Sequence, residues 1–185
     1  MNDQWGAVWD RKGNSDSEDR LFLGGFDQLD FPVDFEAAAK TLTRILAIKP
    51  EDRVLEVGCA AGLIARHLDC RYIGVDKSEP MIKKNIAINK NSACACEADD
   101  LIFKDKTFDK SYVFTVFQYF PDLDYARRAM EELIRVTKKS IYIGDIPKES
   151  HDSSHCLYTE EFFAGWEPAP ALYPRENRFS IVKHL

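Results

Sequence analysis

The sequence predicts an α/β protein built on an open, mostly parallel sheet with helices on both faces. Short apolar runs rich in β-forming residues recur along the chain, and helix-length segments separate most of them. Strands joined across such segments are parallel neighbours. The chain then finishes with two extended runs joined only by a turn, so we expect a terminal hairpin and an antiparallel last strand.

Each predicted element rests on a local pattern. The first helix, about 33–48, has apolar residues at helical spacing and ends at Lys49-Pro50. Ser78 is the expected N-cap of the helix that carries Pro80 in its first turn. The predicted strands are 53–57, 71–75, 93–96, 110–116 and 140–144, followed by extended runs at 169–173 and 178–184. The other predicted helical segments are 63–68, 78–89, 123–136 and a short one at 159–163.

The chain length of 185 residues suits one domain with a substantial core. Within it, residues 1–30 are polar and glycine-rich but carry Trp5 and Trp9, which favours an arm or lid that docks on the core. We expect a ligand-binding core over 49–147 and a short C-terminal hairpin region over 148–185.

Composition narrows the class of partner. The net charge of −6 argues against nucleic acid, and no apolar run reaches the roughly 18 residues that span a bilayer. The N-terminus lacks the basic and apolar regions of a secretory signal, so we expect a cytoplasmic protein without a membrane partner. The five cysteines have neither disulfide-framework nor zinc-site spacing, which predicts reduced thiols and no metal.

The chemistry is concentrated in the segment 54–63, where an apolar strand ends in Glu56 and enters a loop of small residues that opens a helical segment. A ligand lying across the end of a first strand needs close approach to the backbone, which side chains would prevent. The pattern Gly58-x-x-x-Gly62 lacks the third glycine of a dinucleotide fingerprint. A carboxylate at the strand end suits a positively charged ligand group, such as an amino acid ammonium, better than a pyrophosphate.

Further acids follow the next two strands. Asp76 ends the second strand, about twenty residues past the glycines, where it can accept hydrogen bonds from ribose hydroxyls; it could instead cap the helix at Ser78. After the third strand, Glu97 or Asp99 could accept from an adenine amine, or either could simply cap a loop.

Taken together, these residues resemble the class I S-adenosylmethionine-dependent methyltransferases over roughly 49–147. The resemblance implies a Rossmann-like three-layer sandwich with a seven-stranded sheet whose last strand is antiparallel. It implies S-adenosyl-L-methionine as cofactor, S-adenosyl-L-homocysteine as product, and Glu97 rather than Asp99 as the adenine acceptor, with the Ala98 N–H facing the ring edge. The implied cofactor-binding residues are Glu56, Gly58, Ala60, Gly62, Asp76, Lys77, Glu97, Ala98 and Phe114.

The resemblance also implies an acceptor side, with Phe114 and Thr115 along the methionine and Gln118-Tyr119 facing the acceptor. We expect a small-molecule acceptor, either a saccharide or a secondary metabolite, and a monomer or homodimer. No residue has a spacing that singles it out as a general base. The acceptor-site candidates are Tyr119, Gln118, Asp145, His151 and His155.

The sequence departs from the family pattern at two places that matter. Ala60 replaces the middle glycine of the loop, and its methyl group is expected to crowd the donor. No Asn/Asp-Pro-Pro-aromatic motif follows the fourth strand, which argues against methylation of nucleobase or amide nitrogen. Two alternatives stay open: a non-catalytic binding or partner subunit with this fold, and an NAD-dependent oxidoreductase.

Overall fold

The computed structural model describes residues 4–27, 32–90, 92–149, 154–173 and 175–185. The α-helices are α1 Gln4–Gly13, α2 Arg20–Gly24, α3 Phe35–Leu46, α4 Glu79–Asn89 and α5 Leu123–Val136. Short 3-10 helices lie at Ala65–His67, Phe117–Tyr119 and Glu160–Phe163. The strands are β1 Arg53–Val57, β2 Arg71–Asp76, β3 Ala93–Ala95, β4 Phe108–Phe114, β5 Thr137–Pro147, β6 Glu167–Pro168 and β7 Arg178–His184.

The seven strands form one sheet in the order β3-β2-β1-β4-β5-β7-β6. The first five strands pair in parallel, whereas β7 runs antiparallel to both β5 and β6. This confirms the predicted mostly parallel sheet with an antiparallel last strand. Because β1 and β4 lie at the centre, the loops that follow them open side by side at the carboxyl edge of the sheet.

Side-chain alternation along the strands builds a core on each face. On one face, Leu55 and Val113 are buried with apolar residues of α5 such as Leu133. On the other face, Val54 and Tyr112 pack with α3. The sheet is therefore the middle layer of three, as predicted.

Local capping fixes where the helices begin. The Ser78 hydroxyl accepts a hydrogen bond from the Met81 N–H at 3.3 Å, which confirms the predicted N-cap of α4. Asp122 caps α5 in the same way, accepting from the Tyr125 N–H at 2.7 Å. None of the helices within the described ranges is long and apolar enough to cross a membrane.

The predicted strands 110–116 and 140–144 are observed with other bounds, as Phe108–Phe114 and Thr137–Pro147. Three other predicted segments differ from the structure in the kind of element that they form. The helical segment predicted over 63–68 is only the 3-10 turn at Ala65–His67. The extended run predicted at 169–173 is replaced by the two-residue β6, because Pro168 and Pro170 have no N–H to continue the ladder with β7. Within the segment 1–30, which the sequence predicted only as an arm or lid, residues 4–13 and 20–24 form the helices α1 and α2.

Candidate functional site

The loop after β1 has a left-handed backbone at alternate positions. The φ angles are +76° at Gly58, +38° at Ala60 and +67° at Gly62. The N–H groups of Gly58 and Cys59 both donate to the Val75 carbonyl, at 2.8 and 3.0 Å, which ties the loop to the end of β2. Ala60 therefore adopts a conformation that favours glycine, and its side chain costs about 1–2 kcal/mol there.

Gly58 is required by the protein's own packing as well as by its backbone angle. A Cβ atom built at Gly58 would lie 2.2 Å from Cγ2 of Val116, in the loop after β4. The small residue thus allows the loops after the two central strands to touch. This is a different reason for a glycine from the ligand contact that the sequence suggested.

A cleft of about 710 Å³ opens where these two loops meet. Of the residues predicted from sequence, Gly58, Ala60, Asp76, Lys77, Ala98, Thr115 and Tyr119 line it. The other lining residues are Trp5, Gly6, Trp9, Gly24, Val57, Cys96, Val116, Phe120, Pro121 and Tyr125. The cleft is thus a largely apolar chamber with a few convergent polar groups, the usual character of a small-molecule site.

Asp76 is the acid that lines this cleft. Its Oδ2 accepts from the Ala60 N–H and its Oδ1 from the Ser78 N–H, both at 3.0 Å. Burial raises the pKa of the carboxyl group, and the two backbone hydrogen bonds oppose that shift. Each oxygen keeps a further acceptor lone pair, so supporting the start of α4 does not prevent Asp76 from binding a ligand hydroxyl.

Glu56 lies on the other side of the loop. Its carboxyl group is buried on the face of the sheet that packs against α3, where the Tyr72 hydroxyl donates to it at 2.5 Å. Desolvation raises its pKa to about 8, so the group is largely protonated at neutral pH. Glu56 is not among the residues that line the cleft. Its contact with a donor ammonium stays a prediction.

The two acids after β3 have different partners. Asp99 accepts two hydrogen bonds from Arg128, at 3.0 and 2.7 Å. Glu97 stands at the rim of the cleft, where it accepts from the Tyr125 hydroxyl at 2.8 Å and lies 3.7 Å from the Lys77 ammonium. The same hydroxyl accepts from the Ala98 N–H at 3.2 Å.

Aromatic side chains close the cleft opposite the loop. The ring of Tyr119 lies 4.8 Å from that of Trp5 and 5.4 Å from that of Trp9. The His155 imidazole stacks on Trp5 at 5.1 Å, which brings this predicted residue to the same cluster. His151 lies outside the described residues.

Helix α1 brings the two tryptophans to this position by packing on α4. The Ser78 hydroxyl donates to the Asp10 carboxylate at 2.6 Å, and a Cβ built at Gly13 would lie 2.5 Å from the Met81 nitrogen. The Lys84 ammonium donates to the Ser15 carbonyl at 2.7 Å, just beyond the helix. We name α1 the lid helix from here on.

Four of the predicted cofactor-binding residues do not line the cleft: Glu56, Gly62, Glu97 and Phe114. Phe114 instead packs between Phe26 and Tyr173 and lines a second, smaller cavity.

Gln118 and Asp145 are both buried and neither lines the cleft, whereas Asp145 lines that second cavity. Gln118 accepts from Arg178, and Asp145 also lies against Arg175.

Sequence reasoning did not single out Tyr125, Arg175 or Arg178. Tyr125 is one turn into an amphipathic helix and Arg178 begins an apolar strand, so neither had a pattern distinct from ordinary surface positions. A signal did exist for Glu56, since alternation along β1 places it on the same face as Val54, away from Leu55 and Val57.

Comparison with known proteins agrees with this geometry. A family model described as a methyltransferase domain matches residues 55–143. A nonribosomal peptide synthetase of Emericella nidulans, asqK, is 31% identical over 176 residues, covering 85% of this chain but only 6% of that protein. The chain thus spans a small part of that curated relative.

Two solved structures have the same fold over nearly the whole chain. The N-methyltransferase NodS of Bradyrhizobium japonicum, in complex with S-adenosyl-L-homocysteine, has a TM-score of 0.72 and 18% identity, covering 96% of this chain and 95% of that one. The magnesium protoporphyrin IX methyltransferase of Synechocystis, with bound S-adenosylmethionine, has a TM-score of 0.63 and 16% identity, covering 98% and 95%.

Proposed function

Because a methyltransferase-domain model matches residues 55–143, we propose that this chain is a class I S-adenosylmethionine-dependent methyltransferase. It transfers the methyl group of S-adenosylmethionine to a small-molecule acceptor in the cleft beneath the lid helix. The observation that carries the proposal is the meeting of the Gly58–Gly62 loop and the Asp76 carboxylate at one chamber on the carboxyl edge of the sheet. In open α/β sheets this edge is where ligands bind.

The residues present fit the donor. The Asp76 carboxylate has acceptor capacity for the ribose hydroxyls, and the Glu97 carboxylate with the Ala98 N–H offers the acceptor and donor pair that an adenine edge needs. Thr115 and Val116 would border the remainder of the donor.

When bound, S-adenosylmethionine supplies a methyl group on a sulfonium that an acceptor nucleophile can displace in line. The protein therefore has mainly to align the two reactants and exclude water, which together can contribute about 7–11 kcal/mol to lowering the barrier. Trp5, Trp9 and Tyr119 form the wall that does both. Burial raises the pKa of Tyr119, so its hydroxyl stays protonated and can orient an acceptor by donating a hydrogen bond.

The acceptor that we propose is a saccharide or another secondary metabolite rather than a macromolecule. The lid helix covers the chamber, and a covered chamber suits a ligand that can be enclosed. The names of the two structural neighbours, an N-methyltransferase and a porphyrin methyltransferase, are in keeping with varied acceptors on this fold. We place the protein, as a monomer or homodimer, in the cytoplasm.

Calorimetric titration with S-adenosyl-L-homocysteine tests the donor site. We expect binding to the wild type, no binding of NAD, and a loss of about 1–3 kcal/mol of binding free energy in Asp76→Ala, the range for a polar group that loses its partner. Asp99→Ala is the matched control, because its carboxylate pairs with Arg128 outside the cleft lining. A folded wild type that does not bind S-adenosyl-L-homocysteine would contradict the proposal.

Methyl transfer from a labelled donor to a panel of acceptors then separates an enzyme from a non-catalytic subunit. Transfer to any member of the panel at subsaturating donor, reduced in Asp76→Ala and kept in Asp99→Ala, supports catalysis at this cleft. Tight binding of the donor product without transfer to saccharide, amine, hydroxyl or carboxyl acceptors would favour the binding subunit instead.

A further inference from the structure

Two guanidinium groups share one buried carboxylate beside the proposed active site. The Nη1 atoms of Arg175 and Arg178 each lie 3.2 Å from Oδ2 of Asp145. The side chains of Asp145 and Arg178 are only 5% and 6% exposed, and that of Arg175 is 23% exposed. One carboxylate can neutralise one guanidinium, so the group of three carries at least one surplus positive charge.

The backbone is shaped to form this group. The pairing of β5 with β7 shifts register between Ile143 and Ile146, and Asp145 within that bulge has a φ of +60°. Bulges redirect a side chain away from the regular alternation of a strand. Here the bulge turns the Asp145 carboxylate toward Arg178 at the start of β7 and Arg175 just before it.

Arg178 has N–H donors that its described neighbours do not use. Its Nη1 donates to the Gln118 amide oxygen, to the Asp145 carbonyl at 2.9 Å and to the Asp145 carboxylate. Among the residues that the structure describes, its Nε and Nη2 have no hydrogen-bond partner. A guanidinium presents these two N–H groups side by side, in the spacing that matches two oxygens of a carboxylate or phosphate.

A small cavity lined by Asp145 and by both arginines lies against the pair. It adjoins the donor cleft through consecutive residues: Phe114 lines the small cavity and Thr115 the cleft. Gln118 accepts from Arg178, while its neighbour Tyr119 lines the cleft. An acceptor that reaches the Tyr119 side of the cleft would thus place a substituent near the arginines.

We propose that Arg175 and Arg178 bind an anionic group, a carboxylate or phosphate, of the methyl acceptor. If these residues only anchored the start of β7, an ion pair between Asp145 and one arginine would be enough. The second guanidinium adds charge in a partly buried place, which is costly unless an anion neutralises it. The surplus charge also disfavours an acceptor that is cationic at this end. This inference rests on the proposed function, and it narrows the class of acceptor.

The direct test uses wild-type protein saturated with S-adenosyl-L-homocysteine and titrated with inorganic phosphate or acetate against chloride at equal ionic strength. We expect saturable binding of phosphate or acetate, about tenfold weaker in Arg175→Gln and partly restored in Arg175→Lys. Arg127→Gln is the matched control, since Arg127 is an exposed arginine paired with Asp124 on α5, and it should bind the anion as the wild type does.

The Asp145→Asn variant separates a specific effect on the anion site from general misfolding. Removal of the internal carboxylate leaves both guanidinium groups without their competitor, so anion binding should tighten severalfold, a gain that loss of structure cannot produce. Absence of anion binding to the wild type, or equal binding by Arg175→Gln, would overturn the proposal. Since S-adenosyl-L-homocysteine binding is measured first in each sample, failure of the donor site is seen separately.

Methyl transfer provides the second readout, with acceptors tested as matched acids and neutral amides. We expect kcat/KM at least tenfold higher for the acids in the wild type, and a KM that rises for the acids alone in Arg175→Gln. Equal use of acids and amides by the wild type would also overturn the proposal.

Discussion

The hydroxyl of Tyr125 donates a 2.8 Å hydrogen bond to the Glu97 carboxylate at the rim of the cleft. It accepts from the neighbouring Ala98 N–H at the same time. This is the pattern that the edge of an adenine would use there, with the amine as donor and a ring nitrogen as acceptor. Tyr125 therefore competes for the groups that we propose bind the donor.

We predict that Tyr125→Phe binds S-adenosyl-L-homocysteine more tightly. A hydrogen bond of this kind contributes about 0.5–1.5 kcal/mol net, so removal of the competing hydroxyl should lower Kd by about two- to tenfold in calorimetry. Tyr158→Phe serves as the control, because its hydroxyl donates to the Phe117 carbonyl away from the cleft lining. Weaker binding by Tyr125→Phe would instead show that the hydroxyl supports the donor.

Ala60 is the subject of a stability prediction. Its φ of +38° is strained for alanine, and replacement by glycine removes that strain while adding about 0.5–1 kcal/mol of backbone entropy to the cost of folding. The net expectation for Ala60→Gly is a gain of about 0.5–1 kcal/mol in unfolding free energy by urea titration, with donor binding at least as tight.

The matched control for Ala60→Gly is Ala37→Gly, on the exposed face of α3, where glycine should cost about 1 kcal/mol. If both substitutions destabilise the protein equally, the left-handed loop is not strained.

Glu56 predicts a pH dependence of stability. Its pKa in the folded protein is raised to about 8 from an ordinary value of 4.5, so between these values the folded state holds a proton that the unfolded chain releases. Stability from this group is therefore full below pH 4.5 and declines as pH rises toward 8.

Glu56→Gln keeps an acceptor for Tyr72 but cannot ionise. The variant should lose less unfolding free energy than the wild type between pH 5 and pH 9, by more than about 1 kcal/mol, since one pKa unit corresponds to 1.36 kcal/mol. Exposed Glu51→Gln should follow the wild-type curve. Parallel curves for Glu56→Gln and the wild type would refute a neutral buried carboxyl group.

The lid helix gives the last prediction. Trp5 contacts Tyr119 and His155, and each aromatic pair contributes about 0.5–1.5 kcal/mol beyond its buried area. Trp5→Ala removes part of the cleft wall and should therefore weaken S-adenosyl-L-homocysteine binding by about three- to tenfold. Its unfolding free energy should fall only by the loss of these ring contacts, because Trp5 is partly buried and belongs to none of the buried hydrophobic clusters of the described residues.

Trp166→Ala is the matched control for the balance between stability and donor affinity. Trp166 packs against the core on the face of the sheet that carries α5, and it is not among the cleft residues. The substitution is expected to cost stability and to leave donor affinity unchanged. Unchanged donor affinity in Trp5→Ala would mean that the lid helix does not cover the bound donor.

Much of the fold was predictable because it depends on local rules. The bounds of β1 and α5 match the prediction, since each is a run of uniform periodicity between turn or capping residues. Two elements were predicted less well. Pro168 and Pro170 make β6 shorter than the predicted extended run. The lid helix was not predicted because it has few apolar residues and is stabilised by packing on α4.

The parallel sheet, its antiparallel end and a glycine-containing loop followed by Asp76 could be predicted from the sequence, because period, chain breaks and residue size act over neighbouring positions. The orientation of Glu56 toward the α3 side, the contact of Tyr125 with Glu97 and the convergence of two arginines on Asp145 depend on packing in three dimensions. Those relationships join residues 16 to 33 positions apart, and the twist, bulge and burial of the whole sheet set their distances and charges.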